Sequence, residues 1–472
     1  MTSLNAPPIM FPGGRRSMEE GPAPKLSAQE LSSATGEPVE RVRRLRSLKL
    51  IGSEGDERFA PEDIERIRLI QFLERQQIGL ETVARAEQEE ALLASVVEFL
   101  FPNGVGRTYS FAQAIELVGL DPGVARRLRD ASGASDEPID EQDLQMLRGA
   151  KVALDAGFPE TALLQLTRVY ADALARVAEA EVRLFHFYVH EGLKAARLVG
   201  RELVDSRNSV REQLLPIVEP LIRYFHRRGM TKAVREDMIL HLADGPARPA
   251  QSASHAQLRL AIVFLDISSY TPIAEVMGDA VAARIVERFS ELVREATTRF
   301  DGRIVDRVGD AFLLIFPEPR AALTCALDIE RRTAAEPQFP AVRGAVHWGD
   351  VVYQAGGYVG GALNIASRVA THARPHQILA TAAVRHEVGA LSGVRFAAVG
   401  KQRLKGLAEE LELFELRSDD VQVGERIRDP VCGIEMAPTE VGAKLAVKGE
   451  ELAFCCEKCL RVFLDAPQRY RS

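Results

Sequence analysis

The sequence lacks any apolar run near the roughly 18 residues needed to span a bilayer, which argues against a membrane helix. Its N-terminus has no signal-peptide core, so a cytoplasmic protein with no membrane partner is expected. It also lacks a basic excess. A formal net charge of -7 gives no general attraction to nucleic acid or anionic lipid, so any such binding must be local. Cysteine is scarce: five residues, four of them packed between Cys432 and Cys459, which in a reducing compartment argues for a metal site rather than a disulfide framework. Cys325 stands alone in a helical segment and reads as a buried core thiol.

What is present is an ordinary globular composition, 46% hydrophobic and 27% charged, over 472 residues, enough for about three domains. The most informative stretch runs over residues 260–316. It begins as an apolar run ending in Asp266, continues through a Ser/Thr-rich turn into an amphipathic helix expected over residues 274–300, and closes with a hairpin. The hairpin pairs residues 302–308 with 311–316 around Gly309-Asp310, since Gly and Asp between apolar runs favour a tight turn. Asp266 at a strand end and Asp310 at a hairpin tip can therefore converge at a sheet edge. Hard cations such as Mg²⁺ are held by one or two carboxylates plus substrate phosphates.

These residues resemble the class III nucleotidyl cyclase catalytic domain of adenylate and guanylate cyclases. The family's F-x-D-I-[ST]-x-[FY]-T opening appears as Phe264-Leu265-Asp266-Ile267-Ser268-Ser269-Tyr270-Thr271, and the Gly-Asp hairpin follows at the usual distance. The third motif, V-N-x-A-[SA]-R, appears as Leu363-Asn364-Ile365-Ala366-Ser367-Arg368. The resemblance implies a ferredoxin-like α/β domain over residues 258–417 that converts ATP or GTP to its 3′,5′-cyclic monophosphate and pyrophosphate. It further implies two Mg²⁺ or Mn²⁺ ions on Asp266, Asp310 and the Ile267 carbonyl. Asn364 would orient the ribose and Arg368 would stabilise the transferring phosphate. These two come from the other protomer in the family, so a homodimer with composite sites is implied. Lys405, in Leu404-Lys405-Gly406, matches a triphosphate contact. Gly356-Gly357 and Gly360-Gly361 read as a tight turn into the Asn364 helix.

The base pocket departs from the pattern. Where adenylate cyclases place a lysine stands Asp306, and where their second base-reading residue belongs stands Gly357. An aspartate only accepts, which suits the N1–H and N2–H₂ donors of guanine, whereas Gly357 offers nothing to the O6 edge. Bacterial relatives favour ATP and the local chemistry favours GTP, so both purines stay open.

Ahead of this domain the chain reads as all-α. Residues 1–24 are rich in Pro, Gly and Ser and are expected to be a flexible tail. Residues 25–90 resemble a MerR-type winged helix-turn-helix, with residues 39–48 as the recognition helix and Arg58-Phe59 in the wing. DNA contact by Arg41, Arg43 and Arg44, with Arg46 and Lys49, is one reading. Glu37 and Glu40 on the same segment favour the other, an arginine-rich solvated face on a fold kept for protein contacts. The pattern recurs, with Arg43-Arg44-Leu45-Arg46 aligning on Arg126-Arg127-Leu128-Arg129, which points to a duplicated module. Residues 105–243 hold this second copy and a long helical region, expected to break or kink at Pro216 and Pro220. His186 and His190 share a helix face; packing among Phe185, Phe187 and Tyr188 is the expected role, and pH sensing the alternative. Residues 244–257 read as a linker.

Residues 428–472 resemble the YHS module, a small treble-clef-like unit, through Asp429-Pro430-Val431-Cys432-Gly433 and the later cysteines. That resemblance puts Cys432, Cys455 and Cys459 at ligand positions, with Cys456, in place of the usual serine, counted beside them as a further ligand, and implies Zn²⁺ or another thiophilic metal. Met436 is expected in the core. A structural knuckle and a metal sensor feeding the cyclase both stay open. Two further function classes remain beside the enzyme: a transcription regulator using the cyclase fold as a nucleotide sensor, and a metal-responsive adaptor without chemistry.

Overall fold

The computed structural model describes residues 25–53, 56–100, 108–134, 139–198, 200–244, 256–354, 356–418, 426–447 and 450–470. The expected tail over residues 1–24 lies outside them, as does the expected linker up to residue 255. The chain forms two compact units, residues 1–247 and 248–472, described separately below.

The first unit is helical. One copy of the repeat comprises α1 (Ala28–Thr35), α2 (Val39–Ser47), α3 (Glu62–Arg75) and α4 (Leu80–Glu90), followed by α5 (Leu92–Leu100). The second comprises α6 (Phe111–Val118), α7 (Pro122–Ser132), α8 (Glu141–Asp155) and the long α9 (Glu160–Leu184). Matching local chemistry starts both copies. Ser27 with Glu30, and Ser110 with Gln113, form capping boxes, and Gly36 and Gly119 close α1 and α6 in the left-handed region. The bridge Leu26–Phe59 in one copy has its counterpart in Tyr109–Ile139. Each copy buries its own core, around Leu45 and Ile67 in one and around Leu128 and Leu144 in the other.

The expected wing residue Phe59 is buried in the first core, with the Arg46 guanidinium 5.3 Å from its ring centre. The recognition-helix arginines are partly engaged: Arg41 pairs with Glu37 at 2.9 Å and with Glu74, and Arg44 with Glu81 at 3.7 Å, whereas Arg43 is exposed. A single π-helical turn, Phe185–His190, follows α9. The expected packing of the histidines among aromatics is corrected here: Phe187 and Tyr188 are exposed, and His186 and His190 stack on each other at 5.1 Å. The short α10 (Glu191–Ala195) precedes α11 (Gly200–Asp244), which runs through Pro216 and Pro220 without ending. The break expected there is absent because this stretch is exposed, so water can satisfy the carbonyls the prolines leave unbonded.

The second unit begins with β1 (Ala256–Ile267), two residues inside the expected linker. Then come α12 (Tyr270–Met277), α13 (Asp279–Arg299), β2 (Arg303–Val308), β3 (Ala311–Phe316), α14 (Pro319–Ala335), β4 (Val342–Gln354), β5 (Gly357–Val359), α15 (Gly361–His372), β6 (Ile378–Thr381), α16 (Ala382–Val388), β7 (Val394–Gln402) and β8 (Leu411–Ser418). The single helix expected over residues 274–300 is two helices, because Gly278 at φ 90° and ψ 158° turns the chain between them.

The sheet runs β2-β3-β1-β4-β6-β8-β7, with β5 on β4. Its first four strands form the split β-α-β arrangement of ferredoxin-like folds. Alternate β1 residues Ala261, Val263 and Leu265 pack with Phe289 of α13 and Leu323 of α14. Leu260 and Ile262 face the other way, onto Ala362 and Ala366 of α15.

A last module of the same unit carries β9 (Ile427–Arg428), β10 (Glu435–Met436), β11 (Ala443–Val447), β12 (Glu450–Phe454) and α17 (Glu457–Asp465). Met436 and Cys325 are fully buried, as expected.

Candidate functional site

Register brings the two key aspartates together. Antiparallel pairing of β1 with β3 ends at Leu265–Phe312, so Asp266 emerges opposite the hairpin whose tip is Gly309-Asp310. Gly309 takes φ 63°, which glycine adopts without a Cβ clash, and this lets the turn be tight enough to aim Asp310 back at β1. Burial and the neighbouring Asp266 carboxylate push the Asp310 carboxyl up to about 6. Two adjacent carboxylates form a donor set suited to a hard divalent cation.

Sequence reasoning missed Arg343. Register places it directly across from Asp266 on β4. Its Nε and Nη2 donate to Asp266 Oδ2 at 3.1 and 2.7 Å, a two-point contact that fixes the carboxylate's rotamer. Nothing local in the sequence signals this pair.

A pH prediction follows. A cation held at this pair needs Asp310 ionised, and the Asp310 pKa of about 6 is raised above the ordinary carboxylate value. At lower pH the metal must displace a proton, so apparent Mg²⁺ affinity falls by up to about tenfold per pH unit. Arg343→Ala removes a positive neighbour that lowers this pKa, and moves the fall to higher pH. Mg²⁺ titration across pH 5–8 measures both.

The remaining motif residues lie on other elements. Ser268 N–H donates to the Ala341 carbonyl at 2.7 Å and Ser269 stands in the left-handed region at φ 63°, so the turn carrying the Ile267 carbonyl is tightly held. Gly360, at φ 142°, starts α15. That helix buries Ala362, Ala366 and Val369 toward its own sheet, leaving Asn364 and Arg368, one turn apart, exposed on the opposite side. Lys405 is exposed next to the buried Leu404. Asp306 is exposed on β2, beside a bulge between Ile304 and Asp306, and its carboxylate accepts from the Arg307 N–H at 2.8 Å. Gly357 opens β5, and the neighbouring Tyr358 hydroxyl accepts from Arg303 of β2 at 3.4 Å, which ties β2 to β5.

The terminal module gathers a second donor set. Asp429, Cys432, Cys455 and Cys459 are all buried, with ligand atoms within 4.8 Å of one another. The Cys455 sulfur lies 3.6 Å from both Cys432 and Cys459. Tetrahedral thiolates at about 2.3 Å from zinc lie about 3.8 Å apart, so the spacing fits a thiophilic cation. Hydrogen bonds from Cys455 and Cys459 hold the Cys432 thiol well below the ordinary thiol range.

Cys456, counted with the ligands from sequence, stands beside this group, 3.7 Å from Cys455 and 4.0 Å from the Met277 sulfur. Asp429 was missed as a member. Its Oδ1 accepts from Val431 and Cys432 N–H at 2.7 and 3.2 Å, and its Oδ2 from Cys455 N–H at 2.7 Å, so it ties both thiol-bearing segments together. An aspartate followed two and three residues on by its own N–H donors is a local turn signal that could have found it.

At one end of the ferredoxin-like sheet the Asp266 and Asp310 carboxylates converge beside Arg343. Among known proteins, the chain is 25% identical over 370 residues to a pH-sensitive adenylate cyclase of Mycobacterium tuberculosis, covering 76% of this chain and 90% of that protein. It is 31% identical over 180 residues to an adenylate cyclase of Glutamicibacter nicotianae, covering 37% of this chain and less than half, 44%, of that one. A solved adenylate/guanylate cyclase/hydrolase from Silicibacter pomeroyi is 26% identical at a TM-score of 0.31, covering 35% of this chain and 99% of that one. No protein-family model matches the chain.

Proposed function

We propose that this protein is a nucleotidyl cyclase that works as a homodimer and forms a 3′,5′-cyclic purine nucleotide and pyrophosphate from ATP or GTP. The carrying observation is the Asp266–Asp310 pair, set in order with Asn364 and Arg368 and supported by relatives named adenylate cyclase. Two bound Mg²⁺ or Mn²⁺ ions would lower the pKa of the attacking 3′-hydroxyl and neutralise charge on the leaving pyrophosphate. Asp266 and Asp310 hold those ions with the Ile267 carbonyl, and Arg343 holds Asp266 in its rotamer. Asn364 orients the ribose and Arg368 stabilises the phosphate charge. Both point away from their own sheet, which supports delivery to the site of a second copy. Lys405 is assigned to the triphosphate. The thiolate group of the terminal module takes Zn²⁺ or another thiophilic metal, and the paired state of Arg41 and Arg44 speaks against DNA as the partner of the first unit.

Purine choice rests on Asp306, whose exposed carboxylate accepts but cannot donate. Asp306→Lys supplies a donor to adenine N1, and is expected to raise the ATP to GTP ratio of kcat/KM by about 10- to 100-fold, the range of one to three kcal/mol for a base contact. The founding experiment is cyclic nucleotide formation by the full chain with each purine triphosphate and each metal. No product from either, also after removal of residues 1–245, sinks the enzyme reading in favour of a nucleotide sensor.

A further inference from the structure

We propose that the terminal module is a metal-responsive input to the catalytic domain: occupancy of its thiolate site by a thiophilic d¹⁰ cation, Zn²⁺ or Cu⁺, sets the order of α12 and of the cation-binding turn after Asp266. The inference rests on the cyclase and thiolate-metal readings above and deepens them.

The module's core is completed by the catalytic domain. Cys432, Ile434, Met436, Phe454, Cys459 and Phe463 form one buried cluster with Ile273 and Val276 of α12, the helix that begins at Tyr270, just past Asp266. A unit of this size is too small to stay folded without a metal or a partner surface. Here the thiol group and the α12 surface lie in one buried cluster.

Two direct routes join the thiols to the turn. Cys432 is followed by Gly433, which lies so close to Ser269 that a Cβ on Gly433 would come within 2.5 Å of the Ser269 hydroxyl. Ser269 is the non-glycine residue held at φ 63°, a conformation that persists only where the surroundings impose it. On the other side, Gln338 Nε2 donates to the carbonyls of Cys455 at 3.3 Å and Glu440 at 3.0 Å. Gln338 belongs to the short segment ending at Ala341, whose carbonyl accepts from Ser268. The two thiol-bearing segments therefore grip the 268–269 turn from both sides. The Cys456–Met277 contact at 4.0 Å adds a third grip at the far end of α12.

Removing the cation leaves three thiols and a carboxylate without the crosslink that unites them, so the shared cluster loosens. Ile273 and Val276 then lose their cover and the constraint on Ser269 is lifted. Turnover at Asp266 and Asp310 falls, and it returns when the cation does.

The test uses the full chain, loaded with Zn²⁺ or with Cu⁺ or stripped by a thiophilic chelator, with Mg²⁺ held saturating. Metal content, hydrogen exchange of residues 268–277 and 426–470, and turnover are read together. The expected result is one tail metal per chain and at least about tenfold faster exchange over 268–277 on stripping, both reversed by re-adding the cation, with turnover tracking occupancy. Gln338→Ala keeps the metal but raises exchange at 268–271 in the loaded state. Unchanged exchange over 268–277 while 426–470 loses protection overturns the proposal. So does a loss that the re-added cation does not restore, which marks a structural knuckle. No turnover in any state, with the exchange response intact, overturns the cyclase reading and leaves the coupling standing.

Discussion

Asp310→Ala is expected to bind nucleotide yet form cyclic product at least about 1000-fold more slowly, since losing a shared metal ligand removes several kcal/mol of charge stabilisation and each 1.36 kcal/mol is tenfold in rate. The substitution should not cost stability. Asp310 sits at a hairpin tip, and its charge is disfavoured by burial and by Asp266, so the alanine relieves an unfavourable carboxylate pair. A wild-type melting temperature with lost turnover is thus the expected pairing. Retained turnover in Mg²⁺ would remove Asp310 from the site.

The second large effect is rescue. Asp310→Ala and Arg368→Ala chains are each expected to be nearly inactive alone. Refolded together at equal amounts, half of the dimers are mixed, and each mixed dimer holds one composite site with both lesions and one with neither. About a quarter of wild-type turnover should return. The geometric ground is that Arg368 and Asn364 are exposed on the side of α15 opposite Ala362 and Ala366, which face the chain's own sheet. If the mixture stays as inactive as its parts, the site is completed within one chain.

Much of this could be read before any coordinates. The β1 run, the Gly309-Asp310 hairpin and the cysteine spacing are local patterns, and local patterns are what a sequence displays directly. The duplicated helical module was legible for the same reason, because Arg43-Arg44-Leu45-Arg46 aligns on Arg126-Arg127-Leu128-Arg129. The misreadings came from context. Periodicity continued across Gly278, so two helices looked like one, and Pro216 and Pro220 stopped nothing because solvent serves the carbonyls they strand. Phe187 and Tyr188 were read as packing partners by type, although in this fold they face outward.

Local spacing alone set out the chemistry on offer: a carboxylate pair, an asparagine and an arginine one turn apart on a helix, and a cluster of thiols, each spaced by short-range rules of strand, turn and helix. The tertiary structure decided who meets whom. Arg343 reaches Asp266 only through strand register, Asp429 binds the two cysteine segments only because β12 returns beside them, and the cysteine module reaches α12 only because Ile273 and Val276 join its buried cluster. Such contacts join residues 77, 26 and well over 100 positions apart, and no local pattern encodes them.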